Sequence, residues 1–141
     1  MLSHIIFYII SYDIWFYISH IILHHKLYKY IHKEHHTIDY KTMIYSDTYV
    51  GHFIESPFQG IGVIVPLFFI KLNLYIFFYS LLIINIRGML RHDVNFVWLI
   101  GNHHILHHKY PNYNFGEYWL DKIFGTIYPN KNEYKKGIIY I

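Results

Sequence analysis

The 141 residues suffice for one domain and not two, and 54% hydrophobic against 15% charged is apolar for a soluble domain of this size. There is no cysteine, which excludes disulfides, thiolate zinc sites and cysteine nucleophiles and fits chemistry facing a reducing compartment. The net charge of +3 comes with lysines scattered among histidines and aromatics, without the basic run that nucleic-acid binding needs.

Residues 1–23 form an apolar stretch long enough to span a bilayer. They do not read as a cleavable signal peptide, since a basic start and a small-residue cleavage site are missing and Asp13 and His20 interrupt the run. An acid and an imidazole inside such a helix are costly, so each should face protein or a metal rather than lipid. Residues 24–56 are polar, and HHKLYKYIHKEHH suits a helix continuing out of the membrane, with a loop after it. Ser56-Pro57 opens a second apolar region, 58–86, interrupted by Lys71 and Asn73. Its length predicts a hairpin of helices, roughly 58–70 and 73–90, turning at Lys71-Leu72-Asn73 and kinked at Pro66. Residues 91–141 are polar, with a last histidine cluster followed by aromatic and Gly/Asn/Pro turn chemistry.

The expected fold is therefore all-α: an integral membrane protein with about three apolar segments under a histidine-rich helical cap. On this layout the lysines and arginines other than Lys71 share one side, which the positive-inside rule makes cytoplasmic. The same side carries every histidine except His4.

Of the 13 histidines, most fall into three clusters. His20 and His24 lie four apart, one turn along one helix face. His32, His35 and His36 form H-x-x-H-H, and His104, His107 and His108 repeat it; His92 stands at the end of the predicted hairpin. Neutral imidazole is the commonest nitrogen ligand for zinc, copper and iron, and helical spacing lets two rings share an ion. An H-x-x-H-H frame arises by chance on the order of once in a thousand positions even at this histidine content, so two on one membrane face argue against polar filler. For single residues such as His4 and His25, filler remains the better reading. There is no H-E-x-x-H, because Glu34 precedes His35 in the wrong register, and no Gly-x-Ser-x-Gly elbow or phosphate-cradling glycine loop. Nine imidazoles exceed what one tetrahedral zinc can use, and two metals are the economical reading.

The order H-x-x-x-H, H-x-x-H-H and a late H-x-x-H-H is similar to the fatty acid hydroxylase and sterol desaturase superfamily. Asp13-x-x-x-Tyr17-x-x-His20 resembles the family's approach to its first histidine box, and Gly51-His52-Phe53-Ile54-Glu55 its loop after the second. His103 to Thr126, HHILHHKYPNYNFGEYWLDKIFGT, resembles the last box with its Asn-Tyr-Gly and Trp-Asp-Lys-Phe-Gly-Thr signature. The short interval between His24 and His32 favours this branch over acyl-lipid and acyl-CoA desaturases. The resemblance covers nearly the whole chain, as a single domain over 1–141. It implies an endoplasmic-reticulum-type membrane enzyme whose cytoplasm-facing pair of irons uses O2 to abstract hydrogen from an unactivated C–H bond of a lipid, ending in hydroxylation or, after a second abstraction, an alkene. Electrons would come from NAD(P)H through a cytochrome b5-type donor and its reductase. The residues carried over as ligands are His20, His24, His32, His35, His36, His92, His104, His107 and His108, with His103 able to replace or join His104. Two departures stand out: members commonly carry a further transmembrane hairpin before the Asp-x-x-x-Tyr helix, and some hydroxylases have a histidine where this chain has Gly88. A missing hairpin would favour association with a partner or a second copy.

Among the other residues, Asp13 is placed either to orient a ligand imidazole or to make a packing hydrogen bond. Glu34 reads as solvated, Asp93 and Asn95 as partners of a ligand or as turn formers, and Asp121 as fold-stabilising. Phe68-Phe69 and Phe77-Phe78-Tyr79 read as lipid-facing or packing residues. Three functional classes compete: an active lipid hydroxylase or desaturase, a shortened non-catalytic membrane relative acting in interactions, and a membrane metal-binding or transport protein. Acyl chains, sterols, sphingoid bases and carotenoids all remain open as substrates.

Overall fold

The computed structural model describes residues 1–139, so the last two positions of the expected domain lie outside the described residues. Helices α1 (Leu2–His25), α2 (Glu55–Gly60), α3 (Leu74–Arg91), α4 (Val97–Ile100), α5 (His103–Lys109) and α6 (Tyr118–Phe124) are joined by 3-10 turns and one π turn, with no strand among the described residues. The all-α expectation holds.

Two helices, α1 and α3, are long and apolar enough to cross a membrane. At 1.5 Å per residue they measure about 36 Å and about 27 Å, against a hydrocarbon core of about 30 Å. On α1, Ile6, Ile10, Ile14 and Ile18 repeat every four residues as one exposed ridge, while Tyr8, Phe16, Ser19 and His20 are buried. Tyr75, Phe78, Tyr79, Leu82 and Ile86 make the corresponding exposed surface of α3, and Ser80 and Ile84 its buried one. Apolar ridges of this size are stable facing lipid and costly facing water.

The third apolar segment differs from the helix expected over 58–70. It is the end of α2 followed by 3-10 turns at Ile61–Val63 and Val65–Phe68, so the hairpin has one full arm and one short, broken arm. The cause is local. Gly62 lies so close to α1 that a Cβ would come within 2.8 Å of Tyr12 Cα and Trp15 Cβ, and Pro66 removes a backbone donor. Trp15 Nε1 also donates to Phe58 O at 2.7 Å, fixing the broken arm against α1. The turn falls where expected, with Asn73 capping α3 by accepting from Ile76 N.

The helix expected to run on through HHKLYKYIHKEHH is also broken. α1 stops at His25, a π turn spans Tyr28–His32 and a 3-10 turn His35–Thr37. A straight helix would string His20 to His36 over about 24 Å. Only a sharp reversal brings those rings to one point.

Where α1, α3 and the start of α6 meet, Arg87 binds Asp13 at 3.1 Å and Glu117 at 2.6 Å, and Arg91 also binds Glu117. Asp13 therefore makes the packing contact rather than orienting a ligand imidazole. Alongside, Tyr17, Phe115 and Leu120 form a small core with Ile21 against it.

Candidate metal centre

The structure gathers the nine histidines expected as ligands into two adjacent groups. His20, His24, His32, His36 and His107 bring one ring nitrogen each within 4.8 Å of one another, and His35, His92, His104 and His108 do the same. The H-x-x-H-H frames are shared between them. In each frame the i, i+4 pair (His32 with His36, His104 with His108) serves one group, and the middle or adjacent histidine (His35, His107) turns to the other. The repeated frame thus ties two groups into one centre.

Backbone geometry settles which ring nitrogen is free. A carbonyl only accepts, so a ring nitrogen bonded to one must carry the proton. His20 Nδ1 donates to Phe115 O, His107 Nδ1 to Tyr113 O at 2.6 Å, His35 Nδ1 to Val50 O at 2.8 Å and His92 Nδ1 to Gly88 O at 2.8 Å. His32 Nδ1 is hydrogen-bonded to the carboxyl of Glu55 at 2.8 Å and donates to it when that group is ionised. A neutral imidazole has one proton, so the Nε2 of each of the four carbonyl-bound rings is a bare lone pair, and that of His32 is one when Glu55 is ionised.

The Nε2 atoms of each group converge. Nε2 to Nε2 is 2.9 Å for His20 and His32, 3.0 Å for His24 and His32, 3.0 Å for His24 and His107 and 3.2 Å for His36 and His107. In the second group it is 3.1 Å for His35 and His92 and 3.0 Å for His92 and His104. In His35 with His92, and in His20 with His32 when Glu55 is ionised, both nitrogens are bare acceptors, which repel at such distances unless a cation lies between them. At a metal–nitrogen length of about 2.1 Å, adjacent octahedral ligands stand about 3.0 Å apart and tetrahedral ones about 3.4 Å. The donor set fits a metal pair, and His108, buried with neither ring nitrogen hydrogen-bonded, fits only as a ligand.

Burial keeps these rings neutral. It pushes His32 down to about 2 and His36 down to about 3, with neighbouring histidines adding to the effect. His92, His104, His107 and His108 are likewise held well below the ordinary imidazole range, first by burial and then by neighbouring histidines. Neutral imidazole is the ligating form. Burial, then the Glu34 charge, raises Glu55 to about 8. A cation in the adjacent group would act in the opposite sense, favouring the carboxylate.

His103 is not in either group. Its Nε2 bonds Asp121 Oδ2 at 2.9 Å, so it neither replaces nor joins His104. Asp121 also accepts from Phe115 N, Gly116 N and Thr126 Oγ1, the fold-stabilising role expected of it, and so fixes the loop whose carbonyl orients His20. Glu34 is exposed, as read from the sequence. Asp93 accepts from Asn95 and from Tyr45 N, which makes the pair turn formers rather than partners of a ligand. Sequence reasoning missed the role of Glu55, although it ends the Gly51-His52-Phe53-Ile54-Glu55 motif, and the four orienting carbonyls, which leave no signal.

A cavity of about 190 Å³ opens against His20, His35, His92 and His104, between α1, α2 and α3. Phe16, Val63, Leu81 and Ile84 supply its apolar wall.

Residues 5–126 match the fatty acid hydroxylase family. The chain is 28% identical to a Delta(7)-sterol 5(6)-desaturase of Gibberella zeae, over 86% of this chain and 40% of that protein. It is 29% identical to the lathosterol oxidase of Homo sapiens, over 92% of this chain and 46% of that protein. The chain therefore spans less than half the length of these curated relatives. No solved structure matches it.

Proposed function

The chain belongs to the fatty acid hydroxylase family, and on that premise we propose that it is a membrane-bound di-iron oxidoreductase that uses O2 to hydroxylate or desaturate a lipid. The observation that carries this reading is the convergence of nine ring nitrogens in two adjacent groups, five of the rings having the opposite nitrogen committed to a carbonyl or to Glu55. Ligand separations near 3.0 Å favour six-coordinate iron over tetrahedral zinc. The ligands are the nine histidines His20, His24, His32, His35, His36, His92, His104, His107 and His108.

When bound, the two irons would supply oxygen activation and oxidation of an unactivated C–H bond. The chain's own part is to orient five of the nine imidazoles through four carbonyls and Glu55, hold all nine neutral by burial and present a mostly apolar cavity beside them. Because the relatives named above are a sterol desaturase and a lathosterol oxidase, a sterol is the substrate to try first, with a fatty acyl chain second. Electrons would arrive from NAD(P)H through a cytochrome b5-type donor. The whole of residues 1–141 acts as one domain in an endoplasmic-reticulum-like membrane, with its histidine groups toward the cytoplasm where Lys26, Lys29 and Lys33 also lie. A metal-transport role is disfavoured, since rings locked by carbonyls suit a resident ion better than an exchanging one.

Metal analysis of detergent-purified protein expressed with iron tests the proposal, alongside His107→Ala and His108→Ala. Close to two irons per chain, falling in both variants, together with a hydroxylated or unsaturated product from lipid, is the expected result. A folded, membrane-inserted sample without stoichiometric metal overturns it and leaves a non-catalytic interaction protein as the better account.

A further inference from the structure

The cavity beside the second histidine group is not uniformly apolar. At about 190 Å³ it is smaller than the roughly 300–1,000 Å³ of pockets that enclose a whole small-molecule ligand, so it admits the reacting end of a lipid and leaves the rest outside. Four polar side chains, Tyr12, Thr48, Ser56 and Gln59, line it together with the apolar wall. Tyr49 and Asn85 line it too, but they are engaged: Tyr49 Oη bonds Asn85 Oδ1 at 3.2 Å, and Asn85 Nδ2 donates to Leu81 O at 2.8 Å. The side chains of Thr48, Ser56 and Gln59 make no hydrogen bond among the described residues.

Thr48 is the best placed of the three. Its Oγ1 stands 3.5 Å from the point where a Cβ on residue 88 would sit, and nothing else comes within 4 Å of that point. Gly88 thus leaves the hydroxyl facing open space. The Gly88 carbonyl is also the acceptor that orients His92, which puts the Thr48 hydroxyl within about one helical turn of a candidate ligand. An unfunctionalised alkyl segment packed here would cover polar groups without replacing their water, an expensive form of burial. The only charged group other than histidine on the cavity wall is Arg91, which is bound to Glu117. The wall therefore suits a neutral oxygen rather than a carboxylate.

From this placement we infer that Thr48, supported by Gln59 and Ser56, reads a hydroxyl carried near the reacting carbon, so that the substrate is an alcohol-bearing lipid such as a sterol rather than a plain acyl chain. The inference rests on the lipid-oxidising function proposed above and deepens it.

Equilibrium binding to iron-loaded protein in detergent tests it, with a radiolabelled 3β-hydroxy Δ7-sterol and its 3-deoxy analogue as probes. The wild type is expected to bind the alcohol about tenfold more tightly, the worth of one well-made neutral hydrogen bond. Thr48→Val should remove most of that preference by weakening the alcohol alone, and Thr48→Ser should restore it. Gln59→Leu should reduce the preference by a smaller factor. Equal binding of the two probes by the wild type, absence of saturable alcohol binding, or a preference unchanged in both Thr48→Val and Gln59→Leu would overturn the inference. Iron counted on the same samples separates the two claims: two irons without discrimination sinks only the hydroxyl reading, whereas absence of iron sinks the di-iron function whatever the probes do.

Discussion

The two histidine groups are unequally built. In the group of five, His20, His32 and His107 each have an acceptor on the far ring nitrogen, and His24 and His36 are only half-buried. In the group of four every ring is buried and His35 and His92 are braced by carbonyls, while the Nδ1 atoms of His104 and His108 have no partner, nor does that of His36 in the group of five. Three of the four, His35, His92 and His104, border the cavity, against only His20 of the five. Five donors leave a six-coordinate ion one further position, and four leave two. The better-braced group is thus suited to holding its ion, and the more open group to presenting one to a substrate.

The largest effects should come from removing a ligand on either side. His108→Ala takes one of four donors from the open group, and His107→Ala one of five from the braced group. Each should cost more activity than the 10–100-fold typical of losing a partner on a ligand's far nitrogen. Iron should fall further in His108→Ala, towards one per chain, because three donors remain there against four. Equal iron loss in the two variants would break the asymmetry.

Glu55 is the next point of difference, since it braces a ligand of the group of five and has no carboxylate counterpart in the group of four. Glu55→Ala should lower iron affinity about 10- to 100-fold at the braced group alone. Glu55→Gln keeps an acceptor for His32 Nδ1 and should lose less. Iron titrations read at two distinguishable affinities would show whether one class moves while the other stays. Asp121→Ala acts further out, by releasing the loop that carries the Phe115 carbonyl. It should destabilise the fold by about 3 kcal/mol, measured by thermal denaturation in detergent, and weaken the braced group before the open one.

How much of this was readable depends on what a residue's neighbours in sequence reveal. α1 was legible because its composition is apolar over a full span. Six of the nine candidate ligands were legible by i, i+4 spacing, His35 and His107 by the repeated frame and His92 by its place at the end of the hairpin. The break after His25 was not, since Lys26-Leu27-Tyr28-Lys29 holds no breaker; convergence of the rings on one point forces it. Pro66 signals a kink, but total apolar length suggests a full helix, and the close approach of Gly62 to α1 that breaks the arm leaves no mark in the sequence. Asp13 sits one or two turns before a ligand and was weighed as its partner, whereas its actual partner, Arg87, lies 74 residues away. The carbonyls of Val50, Gly88, Tyr113 and Phe115 are beyond any sequence reading, because every residue has one and only the fold aims it.

Mild acid should produce the smallest effect and the finest test of the asymmetry. The folded-state values of His32 and His36 are depressed to about 2 and about 3, while an unfolded histidine titrates near 6.5. Below about 6.5 the unfolded chain therefore binds protons that the folded one refuses, so stability is full above that pH and declines as pH falls. At pH 5.5 the loss is about 1.4 kcal/mol for each histidine held neutral. Both groups share that penalty, but protons reach them differently. His24 and His36 are half-buried, whereas the group of four is enclosed on every member. As pH is lowered from 7 to 5.5, iron should therefore leave the group of five first despite its better bracing, with the open group's iron following only as the fold itself loosens. Iron release timed against loss of helical signal distinguishes the cases. A single phase of release coincident with unfolding would mean that the two ions are held as one unit, and that bracing and access do not separate them.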